Sequence, residues 1–143
     1  MKRSRRLQPA SDQAQREENT AAQNLGRRLE QLQYARRKLD ELLAWEQEYA
    51  AQLQKGVANL GQLQSYRQFM QELTRAIEAQ RLIVAEAEEG AKQARSAWQG
   101  RYARKMVVNR LVEKYQLSER KDEERREQKE MEESCLIRWT RKA

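Results

Sequence analysis

Gly56-Val57-Ala58-Asn59-Leu60-Gly61 is the stretch that decides the fold, because it holds the only two glycines lying within six residues of each other. Glycine takes the left-handed conformation that ends a helix at little steric cost. On both sides the chain is written in helix formers, with a seven-residue spacing of apolar side chains. Before the turn, Leu25, Leu32, Leu39, Glu46 and Leu53 share one position, and Arg28, Ala35, Leu42, Tyr49 and Gly56 lie three residues on. Leu29 and Leu43 widen this stripe, while Glu46 and Arg28 interrupt it. Upstream the same phase carries only Ala14 and Ala21.

After the turn the spacing resumes with Tyr66, Leu73, Gln80, Ala87, Ala94, Arg101, Val108 and Tyr115. The partner positions are read as Phe69, Ala76, Ile83, Gly90, Ala97, Arg104 and Leu111, flanked by Met70, Ile77, Val84, Trp98 and Val112. Two amphipathic stretches joined by a short link predict a long antiparallel two-helix coiled coil, an all-α hairpin. The expected segments are a basic N-terminal piece (1–10), a first helix (11–56), a turn (57–62), a second helix (63–117) and a charged helical overhang with a basic tail (118–143). The first helix is expected to start near Pro9 to Ser11, since proline suits a first turn. Facing residues should have numbers adding to about 118–120. The overhang holds one apolar residue, Met131, between Ser118 and Glu133, and is expected to fray when unbound.

The composition of the 143 residues excludes much else. There is no histidine, one cysteine (Cys135), one proline and five glycines, while charged residues make up 36%. Missing histidine removes the commonest general base and metal ligand, and a lone cysteine gives no disulfide, zinc site or redox pair. No glycine-rich phosphate loop occurs, and carboxylate pairs such as Glu88-Glu89 sit on exposed helix faces. No window is apolar enough to span a membrane, and the basic start is followed by polar residues rather than a signal sequence. A non-enzymatic, intracellular chain without catalytic residues, metal or cofactor is expected. Cys135, far from any other thiol, reads as incidental. Gly90 on the seam reads as a close approach or a kink.

Net charge is +7, with both ends basic: residues 1–37 carry 9 basic and 4 acidic side chains, 38–100 carry 7 and 9, and 101–143 carry 13 and 9. A hairpin gathers the basic ends at one pole, where Lys2, Arg3, Arg5, Arg6, Arg101, Arg104 and Lys105 suit an acidic pore or nucleic acid. Such a hairpin offers no substrate pocket and would serve as a strut, shaft or adaptor.

Several segments resemble the flagellar FliJ family. Leu42-Leu43-Ala44-Trp45-Glu46-Gln47-Glu48-Tyr49 and Tyr66-Arg67-Gln68-Phe69-Met70-Gln71-Glu72-Leu73, with Ala76-Ile77, look like its central signature. Ala97-Trp98-Gln99-Gly100-Arg101-Tyr102-Ala103-Arg104 and Arg125-Arg126-Glu127-Gln128-Lys129 are similar to the second-helix pattern of its gammaproteobacterial members. The resemblance covers residues 12–134. It implies a fold similar to the central stalk of rotary ATPases and a cytoplasmic role in flagellar type III protein export, hence in flagellum biogenesis and motility. Implied partners are the hexameric export ATPase FliI, whose ring assembly the family promotes, the export-gate protein FlhA, and export chaperones. These partners would hold the chain at the inner membrane. The gate-binding patch carried over is Leu42, Trp45, Tyr49, Phe69, Leu73 and Ala76, edged by Lys38 and Gln80. The end entering the ATPase pore would hold Arg3, Arg5, Arg6, Arg101, Arg104 and Lys105. Trp45 replaces a tyrosine usual in the family, and the tail Cys135-Leu136-Ile137-Arg138-Trp139-Thr140-Arg141-Lys142 matches no family pattern.

Trp45 and Tyr66 lie at the seam's edge, where an aromatic serves as an interface anchor, whereas Leu42, Tyr49, Phe69 and Leu73 are expected to pack in the coiled coil. Two other functions compete: the stalk of a virulence type III secretion system, and a basic coiled coil that binds nucleic acid. Against the latter, acidic residues are interspersed through both basic ends, which dilutes attraction for phosphate.

Overall fold

The computed structural model describes residues 2–142, which form two α-helices: α1 (Arg3–Gln54) and α2 (Leu60–Lys142). They pack against each other as an all-α helical hairpin. The chain divides into two compact units, a turn unit of Thr20–Trp98 and a terminal unit of Met1–Asn19 with Gln99–Ala143.

The turn falls where the glycines predict. Gly56 adopts a positive φ of 106°, and the last turn of α1 tightens through bonds from Lys55 N to Gln52 O and from Gly56 N to Leu53 O. Asn59 caps α2: its Oδ1 accepts the Gln62 N–H at 2.7 Å, and the Gln62 side chain reaches back to the Ala58 N–H at 2.8 Å. One donor that the helix start leaves orphaned, and the Ala58 N–H just before the cap, are thereby satisfied. Gly61 lies inside α2 and α1 stops at Gln54, so the link is 55–59 where 57–62 was expected.

In the turn unit α1 buries Leu32 and Ala35 and half-buries Leu25, Leu39, Leu42, Glu46 and Tyr49, the predicted line. On α2 one line is as expected, with Leu73, Gln80 and Ala94 buried. The second line differs from the prediction. It is Ile77, Val84 and Ala91 that are buried, with Met70 and Trp98 half-buried. Ala76, Ile83 and Ala97 stay exposed. The seam therefore steps four residues beyond Tyr66 rather than three, because Met70, Ile77 and Val84 form a more apolar edge than Phe69, Ala76 and Ile83. Leu32, Ala35, Val84 and Ala91 make the core, flanked by Leu39 and Ala87.

One buried polar group sits in this seam. Gln80 donates from Nε2 to the Ala35 carbonyl at 3.0 Å, which removes the cost of an unpaired amide among apolar neighbours. Gly90 needs no special reading: a Cβ built there would meet only the Arg28 side chain, at the ordinary distance of 3.7 Å. Neither a close approach nor a kink demands glycine at this position.

The terminal unit begins earlier than the sequence suggests. α1 starts at Arg3 and carries Pro9 in its interior. The start is held by α2: Glu119 accepts bonds from the Ser4 N–H at 3.1 Å and Ser4 Oγ at 2.6 Å, so a carboxylate from the opposite helix caps the first turn. Lys2 pairs with Glu123. Pairing with α1 thus extends to Glu123, past the expected limit near Leu117, and α2 stays helical to Lys142. Ala14 and Val112 are buried here, and the seam line of Ser4, Ser11 and Glu18 is polar: Ser11 meets Asn109 at 2.9 Å, and Glu18 pairs with Lys105 at 3.9 Å.

Candidate functional site

The carried-over patch lies wholly in the turn unit. Tyr49 and Phe69 stack with ring centroids 4.3 Å apart, tilted by 40°. Leu73 is buried beneath, Leu42 is half-buried, and Trp45 is 51% exposed. In the seam's own phase, Lys38 and Trp45 on α1 and Phe69, Ala76 and Ile83 on α2 all flank the core on one side. Ile83, placed in the core by the sequence reading, is 49% exposed on this side of the seam. The greater hydrophobicity of the Met70, Ile77, Val84 line was the signal that could have put Ile83 outside. Gln80, expected at the patch edge, is buried and bonded inside the seam instead. Lys38 remains exposed, its ammonium 4.9 Å from the Tyr34 ring centroid. Tyr66 is half-buried.

The basic residues lie in the terminal unit, in two groups. Arg3 sits over the Tyr115 ring at 5.6 Å, while Arg5 and Arg6 are exposed with no ion-pair partner among the described residues. About 14 residues along α1, or roughly 20 Å of helix, Glu17 accepts a hydrogen bond from Arg101 at 2.9 Å and forms an ion pair with Arg104 at 3.8 Å, and Lys105 faces Glu18. Arg101 and Arg104 are thus exposed and paired with Glu17, where the sequence reading placed them at seam positions. Gln13, then Arg101 and Arg104, hold the Glu17 carboxyl below the usual glutamate value. Ser4, through its hydroxyl and then its N–H, lowers Glu119, and Lys2 lowers Glu123.

Among the described residues there is no group of acidic or sulfur side chains placed to hold a metal, and no helix long and apolar enough to cross a membrane. The chemistry these surfaces offer is adhesion: an apolar-aromatic face on one unit, a cation-rich surface on the other. Such faces on a helical hairpin are suited to docking against other proteins. The chain belongs to the FliJ family, described as flagellar FliJ protein, whose profile matches residues 2–143. It is accordingly a component of the flagellar protein export apparatus. Among curated proteins none matches it significantly.

Proposed function

We propose that the chain is a non-enzymatic stalk and adaptor of flagellar export, engaging the FliI hexamer through its terminal unit and the gate protein FlhA through the Trp45 face. The observation that carries this reading is Trp45: a large aromatic left half in water at the edge of the seam, on the same side as Phe69 and Ala76. Aromatics in that setting are the usual anchors of an interface. Charge supports the other half. The terminal unit has 18 basic and 12 acidic residues and the turn unit 11 and 10, so nearly all the positive excess lies at the terminal unit. An acidic pore would attract it. The proposal extends to promotion of ring assembly, escort of export chaperones and placement at the inner membrane through these partners.

The test is co-purification of the full chain with the export ATPase and with the gate's cytoplasmic segment, alongside salt-dependent binding to duplex DNA. Retention of both proteins is expected, and Arg5→Glu/Arg6→Glu, which breaks no ion pair among the described residues, should lower ATPase stimulation without loss of helicity. Unchanged stimulation, or retention of DNA alone, contradicts the reading.

A further inference from the structure

A second surface of the turn unit, opposite the Trp45 face, is built differently. Leu29, Arg36 and Leu43 on α1 and Arg81, Glu88 and Arg95 on α2 flank the seam on this side. Here the α2 side of the core is short (Ala87, Ala91, Ala94), which leaves a groove of about 350 Å³ between the helices. Its floor is Leu29, Leu32 and Ala91, and its rim is Arg36, Lys92 and Arg95 with Glu88. Leu29 is 38% exposed. Glu88 is taken by Arg36 at 3.2 Å, whereas Lys92 and Arg95 have no ion-pair partner among the described residues.

We infer that this groove docks an acidic amphipathic helix as a third strand on the hairpin. An apolar floor between two antiparallel helices accepts the apolar edge of another helix, as coiled-coil packing requires. The two free cations select carboxylates beside that edge. Nucleic acid fits poorly, since Glu88 stands on the rim and the unit's charges nearly balance. A partner here leaves the Trp45 face free, so the two surfaces can be occupied together.

The probe is a fluorescein-labelled synthetic helix about three heptads long, with Leu at the apolar positions and Glu beside them. It is titrated against the full chain by anisotropy, and compared with a twin carrying Lys in place of Glu. Binding of the Glu peptide, weakened about tenfold or more by Lys92→Glu/Arg95→Glu, is expected. Leu29→Gln should weaken it as well, with helicity checked by circular dichroism. Trp45→Ala should leave it unchanged. Equal binding of the Lys peptide, or loss on Trp45→Ala but not on Lys92→Glu/Arg95→Glu, overturns the inference. So does displacement of the peptide by duplex DNA, or a dimer in sedimentation that Leu29→Gln abolishes, which would make a second copy the occupant.

Discussion

At the scale of single residues, the phase of the α2 seam is decided by which isoleucine is covered. Ile77 is 5% exposed and Ile83 is 49% exposed, although they stand one turn and a half apart on the same helix. Ile77→Ala should therefore cost about 2–4 kcal/mol in urea denaturation, and Ile83→Ala about 0.5 kcal/mol or less. Equal losses would restore the phase first read from the sequence. Gln80 gives a second test. Its bond to the Ala35 carbonyl satisfies the amide but adds little over an apolar side chain of similar size, so Gln80→Leu should hold or raise the unfolding midpoint. Gln80→Ala, which leaves a void, should lower it. Spacing alone made Gln80 a seam position. It could not reveal the bond to Ala35, because the carbonyl it reaches lies 45 residues away in sequence.

At the scale of the helices, the two glycines flanking α2's first half have opposite roles. Gly56 holds a φ that L-residues rarely adopt, and Gly56→Ala should destabilise the hairpin by about 1 kcal/mol. Gly90 lies inside a helix with room for a methyl group, and Gly90→Ala should raise stability by about 1 kcal/mol. Thermal melts of both variants check the signs. The turn was legible because glycine and Asn59 act locally. The start of α1 was not, since Pro9 suggested a later one and the groups that cap it, Glu119 and Glu123, come from the far end of the chain. Local rules cannot see a cap supplied by another helix. The four-residue step in the α2 seam was visible in principle, in the contrast of Met70, Ile77 and Val84 with Phe69, Ala76 and Ile83.

At the scale of the whole molecule, the two units differ in how they are held. The turn unit has an apolar core of Leu32, Ala35, Val84 and Ala91, while the terminal unit relies on polar layers and carboxylates. Glu17, Glu119 and Glu123 have lowered pKa values when folded, so their stabilisation is present above the ordinary glutamate value of 4.5 and is lost as pH falls through the folded values. Acidification should unfold the terminal unit before the turn unit, followed by amide hydrogen exchange, and Glu119→Gln should blunt the dependence. Loss of protection in the turn unit first would contradict this. The hairpin and the family were readable from the chain because helix spacing and an ordered set of signatures survive without coordinates. The Trp45 face was only half readable, because Ile83's exposure depends on the seam phase. The most direct test of the account is calorimetric titration of the gate protein's cytoplasmic linker against the full chain and its variants. Trp45→Ala should weaken binding about tenfold or more with helicity intact, while Arg95→Glu on the opposite side binds as the parent does. Parental affinity in Trp45→Ala, or loss in Arg95→Glu alone, would contradict it.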